Sequence, residues 1–210
     1  VAAERLVEGA VREAQAGDNK IGTFTGGTIT DDLIISLNSN ATLAAVTALI
    51  RAIAYNNTSN DPSTAVRTIC FTVSDGMGGT SSNANVTVTV VGVNDAPTAT
   101  ATALDPVYVE GDAATALFSG ALVSTVESGQ NLIEICITVS NVKDGGSEIL
   151  RIDGLDVALT HGANGITTTN AMTYSVSLTD DIATVTLSKG VGISAASMQT
   201  LINEIKYRNT

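Results

Sequence analysis

Two short acidic motifs carry the coordination chemistry this chain offers: the turn Asp75-Gly76-Met77-Gly78-Gly79 and the linker Val91-Gly92-Val93-Asn94-Asp95-Ala96-Pro97. Carboxylate and carboxamide oxygens are ligands for hard divalent cations, and calcium gathers about six to eight of them. A stretch of alternating polar and apolar residues separates the motifs, so a strand must hold them apart. Asp and Glu outnumber Lys and Arg by 21 to 10, for a formal net charge of -11. That balance repels phosphate backbones and anionic lipid, and argues against nucleic acid as a partner. It suits carboxylates gathered round cations, and equally a solvated acidic surface.

Residues for catalysis are scarce. His161 is the only histidine, and Thr160-His161-Gly162 reads as a turn. The sequence contains no Gly-x-Ser-x-Gly elbow, phosphate-binding loop, Cys-x-x-Cys pair or His-Glu-x-x-His helix. Aromatic residues make up 3% and Trp is absent, which removes the stacking platforms that sugar-cleaving and sugar-binding proteins use. The chain therefore reads as a protein that turns over no substrate.

The elements that must position the acidic motifs come in two copies. Leu33-Ile34-Ile35-Ser36-Leu37 through Ala54-Tyr55-Asn56-Asn57-Thr58 is echoed by Ala183-Thr184-Val185-Thr186-Leu187 through Lys206-Tyr207-Arg208-Asn209-Thr210. A repeat spacing of about 150 residues marks a tandem array. The expected division is a partial first repeat over 1–95 with an atypical N-terminal segment, and a second repeat over 96–210. The second stops where its counterparts of strands 66–74 and 84–92 should begin. Val, Ile, Thr, Ala and Gly dominate, so the core must be built from β-branched side chains on strands. The fold predicted is mainly β: two tandem antiparallel β-sandwich units, each with a short helix.

Strand, Gly26-Gly27 turn and strand span 21–37. Leu43, Val46, Leu49, Ile50 and Ile53 then recur at helical spacing after the capping candidates Asn38, Ser39 and Asn40. Met198, Leu201, Ile202 and Ile205 do the same after Ser194. Further strands are expected near 106–110, 114–118, 131–140, 148–152, 155–160, 172–178 and 182–188. Residues 1–17 have the composition of a helix, while their place in the repeat favours a strand pair or a terminal cap; both readings stay open. Cys70 and Cys136 each sit opposite the aliphatic face of an alternating strand and are expected as free thiols. No apolar run approaches the ~18 residues of a membrane span, and the N-terminus lacks the residue order of a signal peptide.

The stretch from Phe71-Thr72-Val73-Ser74-Asp75-Gly76 to Val93-Asn94-Asp95-Ala96-Pro97 resembles the end of a bacterial cadherin-like repeat, as found in large surface adhesins and RTX-type proteins. The resemblance implies a secreted or cell-surface location. It also implies calcium at the junctions between units, held by acidic residues of both neighbours and of the linker. On that basis Asn94 and Asp95 match the linker pair, Glu110 the glutamate near a unit's start, and Asp144 an acidic turn of the following unit, with Asp75 serving the preceding junction. Asp75 and Asp144 also fit plain Asp-Gly turns, because Asp bonds its own backbone and Gly takes positive φ. Glu148 either joins Asp144 or faces water, and the pairs Asp31-Asp32 and Asp180-Asp181 read as solvated turns. Expected partners are neighbouring repeats of the same protein, with homotypic assembly or an unknown surface ligand beside them. Two alternatives stand next to the calcium-stiffened adhesive segment: an extracellular fibre subunit completed by strand addition between chains, and an accessory domain of a secreted hydrolase.

Overall fold

The computed structural model describes residues 12–16, 19–28 and 31–210. Strand outweighs helix, 43% to 11%, and every strand pair is antiparallel. The chain packs as two compact units, Val1–Thr58 and Ser59–Thr210; the repeat boundary expected at 95/96 lies within the second of these.

In the first unit β1 (Arg12–Ala16), β2 (Asn19–Thr25) and β3 (Ile34–Leu37) form a three-stranded sheet in that order, followed by α1 (Leu43–Ala52). Residues 12–16 are therefore strand rather than helix, since pairing with β2 overrides a weak helical propensity; residues 1–11, 17 and 18 lie outside the described residues. The cap of α1 is Thr42, whose Oγ1 accepts the Ala45 N–H at 3.2 Å. None of the expected candidates Asn38, Ser39 and Asn40 caps it; Asn38 holds the turn before the helix, its side chain accepting the Asn40 N–H at 2.8 Å and donating to Lys20 O at 3.0 Å.

The second unit begins with β4 (Arg67–Phe71) and β5 (Ala84–Val88), which pair as a two-stranded sheet. It continues through β6 (Thr98–Ala103), β7 (Thr115–Ala116), β8 (Phe118–Ser124), β9 (Leu132–Val139), β10 (Glu148–Ile152), β11 (Leu155–Ala158), β12 (Asn164–Ile166), β13 (Thr173–Thr179), β14 (Ile182–Ile193), α2 (Ala195–Asn203) and β15 (Lys206–Asn209). Two four-stranded sheets, ordered β11-β10-β15-β7 and β12-β13-β14-β9, enclose one core, and β6 pairs with β8 in a separate ribbon. Along β14 the residues Ala183, Val185 and Leu187 are buried while the intervening threonines are half-exposed, the period of two that one covered face imposes. They meet Leu150 and Ile152 of β10, Val157 of β11 and Val176 of β13, and α2 closes the core with Met198 and Leu201. Each such aliphatic side chain contributes about 1.5–3 kcal/mol on full burial. Ser194 caps α2 as expected, its Oγ accepting the Ser197 N–H at 3.1 Å.

Two tight turns fix the register of these sheets. Asp153 and Gly154 join β10 to β11, and Asp180 and Asp181 join β13 to β14. All four have positive φ, the signature of the hairpin turn whose twist matches its strands. Residues 106–110, expected as a strand, are irregular: Pro106 has no N–H to give a ladder, and Val107 is 88% exposed. The strand in this region is β6, immediately after Pro97. Cys70 and Cys136 are free and exposed. Among the described residues, no helix is long and apolar enough to cross a membrane.

Candidate functional site

The linker pair Asn94-Asp95 lies against the loop that leaves β8. The Asp95 N–H donates to Glu127 Oε1, Gln130 Nε2 donates to Asn94 Oδ1 at 2.9 Å, and the Ser128 N–H donates to Asp61 Oδ2 at 3.0 Å. Three carboxylate residues, Asp61, Asp95 and Glu127, are thus tied to one short loop, and none of them is in an ion pair among the described residues. The loop is held tightly: Thr125 Oγ1 donates to Glu127 O at 2.9 Å, and Val126 N–H to Ser124 Oγ at 3.0 Å. Val126 adopts φ 68°, a left-handed conformation that a β-branched residue takes only under constraint, at about 1–3 kcal/mol.

Glu127 Oε2 is buried and has no hydrogen-bond partner among the described residues. A carboxylate oxygen removed from water without a donor is costly. A hard cation is a group that would satisfy it, and Asn94, Asp95 and Glu127 supply the oxygen chemistry calcium requires. Among the described residues, however, no three Asp, Glu, His or Cys side chains converge as a metal site.

Asp75 stands elsewhere, in the turn between β4 and β5. Its Oδ1 accepts the N–H of Met77 at 2.8 Å and of Gly79 at 3.0 Å. These two bonds, Met77's first, hold its carboxyl below the ordinary value of 3.8. The arrangement is a side-chain-capped turn, one of the two roles its Asp-Gly sequence allowed.

Asp144 occupies a third place, at the end of β15. Its Oδ2 accepts from Asn209 Nδ2 at 2.6 Å. Glu148, whose orientation the sequence left open, points inward and is 5% exposed. Its Oε1 accepts the N–H groups of Lys143 and Asp144 at 2.6 and 3.0 Å, and its Oε2 accepts the Tyr207 hydroxyl at 3.0 Å. Burial first, then the bond to Glu148 and its charge, push the Tyr207 phenol from 10.0 up to about 12. Tyr108 packs edge-on against Tyr207 and donates to Asn209 O at 2.7 Å, which brings the segment carrying Glu110 to the same end of the sheet. Glu110 itself is exposed. No hydrogen bond or ion pair among the described residues links Asn94 and Asp95 to Glu110, Asp144 or Asp75.

Glu127, Asp61 and Gln130 were not marked by the sequence. They are far from Asn94 along the chain, and Ser124-Thr125-Val126-Glu127-Ser128 carries no motif. The only local signal is the Gly129 that follows, and it says turn, not ligand. Lys143 is paired with Asp181 across the β13–β14 turn, so one of the acids read as solvated has a partner. His161 Nδ1 accepts the Leu178 N–H at 3.3 Å and serves the loop between β11 and β12. No protein-family model, no curated protein and no solved structure matches this chain.

Proposed function

We propose that this chain is a segment of a long extracellular or cell-surface protein built from cadherin-like repeats, acting as a spacer or adhesive stalk that catalyses no reaction. Successive repeats meet at Asn94–Pro97, and calcium stiffens that joint. The observation that carries the reading is the buried, partnerless Glu127 oxygen beside Asp95. A bound calcium would be held by Asn94, Asp95 and Glu127, and would satisfy the Glu127 oxygen that lacks a donor. Glu110 and Asp144 belong to the far end of the repeat, and Asp75 to the junction before it. The natural partners are neighbouring repeats of the same protein, with a surface ligand at the adhesive end.

Thermal melting in calcium and in EDTA tests this. Ligand binding to the folded state adds RT ln(1 + [L]/Kd), about 2.7 kcal/mol at a hundredfold excess over Kd. The reading expects a higher Tm in calcium, and identical curves would reject it.

A second reading, assembly by strand addition between chains, rests on the exposed Ile34 and Leu37 of β3 and Leu43 of α1. Light scattering separates the two: a stalk segment stays monomeric in dilute solution, and a fibre subunit polymerises.

A further inference from the structure

Asp153 is a buried carboxylate with no ion-pair partner among the described residues. It is 1% exposed and lies in the β10–β11 turn. Its Oδ1 accepts from the side-chain amide Nδ2 of Asn170 at 2.5 Å, and its Oδ2 accepts the Asn170 backbone N–H at 3.1 Å and the Thr167 hydroxyl. Lys189 Nζ reaches the backbone oxygen of the same Asn170 at 2.6 Å. Lys189 is half-buried and forms no ion pair among the described residues. Buried Thr167 and Met172 exclude water on the Asp153 side. An amine, a carboxamide and a carboxyl thus converge on one residue in a sparsely hydrated place, the set needed for acyl transfer to an amine.

We propose that this is a modification site at which Lys189 and Asn170 form an intramolecular isopeptide bond, with Asp153 as the proton-transfer group. The Nζ lone pair attacks Asn170 Cγ and the Cγ–Nδ2 bond breaks. Asp153 takes a proton from the attacking nitrogen and delivers one to Nδ2, which it already touches, so that Nδ2 leaves as ammonia. One lysine amine and one asparagine carboxamide become one secondary amide plus ammonia, with no oxidant or cofactor. Nζ already rests on a backbone atom of the residue whose side chain it attacks.

The bond has a structural consequence. Thr173 and Ser188 form the last rung of the β13–β14 ladder, and Asn170 and Lys189 lie just beyond it. Joining them closes the open end of this hairpin and makes a covalent ring around two strands of the core. The inference is independent of calcium.

Mass spectrometry of the intact, denatured protein tests it. The expected mass is about 17 Da below that of the sequence, the loss of one ammonia when an amine displaces an amide nitrogen. Proteolysis should then release a branched peptide joining the segments that carry Asn170 and Lys189. Lys189→Arg and Asp153→Asn should each restore the full sequence mass. A wild-type protein at full mass overturns the proposal. So does a deficit that survives in Lys189→Arg, because closure of Asn170 onto its own backbone loses the same ammonia, and a deficit that survives in Asp153→Asn removes Asp153 from the reaction.

Discussion

Replacing Glu148 by alanine removes the acceptor for two backbone N–H groups and one phenol at once. Charge-assisted hydrogen bonds each contribute about 1.5–3 kcal/mol net. Lys143 and Asp144 are exposed, so water takes over much of the role at their N–H groups, and relief of the carboxylate's own desolvation offsets a further part. The Tyr207 hydroxyl has less access to water. The sum comes to about 3 kcal/mol for Glu148→Ala, about 1 for Tyr207→Phe, and about 1 for Glu148→Gln, whose carboxamide oxygen still accepts while its NH2 donates to the phenol. Urea unfolding at neutral pH, with the slope m unchanged, reads these values directly. The same network sets an alkaline limit. Because the folded-state phenol is raised from 10.0 to about 12, the unfolded chain loses its proton first. The contribution is therefore fully present below pH 10 and is lost as pH rises toward 12. Wild type should lose more stability than Tyr207→Phe between pH 9 and 11. A Glu148→Ala variant within about 0.5 kcal/mol of wild type, the range of an ordinary surface change, would refute the reasoning.

Leu150 is fully buried between the two sheets, and Leu150→Ala should cost about 3 kcal/mol by calorimetry or urea unfolding, the sum of lost transfer energy and a cavity. Ser194→Ala removes the cap of α2 and should cost about 1 kcal/mol by the same measurement. Asp75, whose folded carboxyl lies below 3.8, contributes stability that is present above that value and lost as pH falls through its folded pKa. The gap between wild type and Asp75→Ala should accordingly narrow in acid, and an NMR titration should place the Asp75 midpoint below that of an unstructured aspartate.

The parts of the fold that announced themselves did so through period and punctuation. β14 and α2 were legible because Ala183, Val185 and Leu187 alternate and Met198, Leu201 and Ile202 follow a serine cap. β6 was not, since Thr98–Ala103 alternates threonine with alanine, all exposed, and carries almost no hydrophobic contrast. β15 was hidden for the opposite reason: Lys206–Asn209 is polar, yet it lies between β10 and β7, where pairing on both edges matters more than propensity. In the linker, Asn94 and Asp95 stood out because turn chemistry and proline coincide there. Glu127 meets Asp95 only when the loop after β8 folds back on the linker, a long-range contact that no local spacing encodes. Asp75 shows the converse, since its motif was conspicuous and its oxygen is engaged by its own turn.

Calorimetric titration of the purified chain with calcium tests the proposed joint at Asn94–Pro97 most directly. The account predicts saturable binding that is lost in Glu127→Gln and weakened in Asp95→Asn, while Asp75→Asn leaves it unchanged. Absence of binding at millimolar calcium, or binding of undiminished affinity in Glu127→Gln, would contradict it.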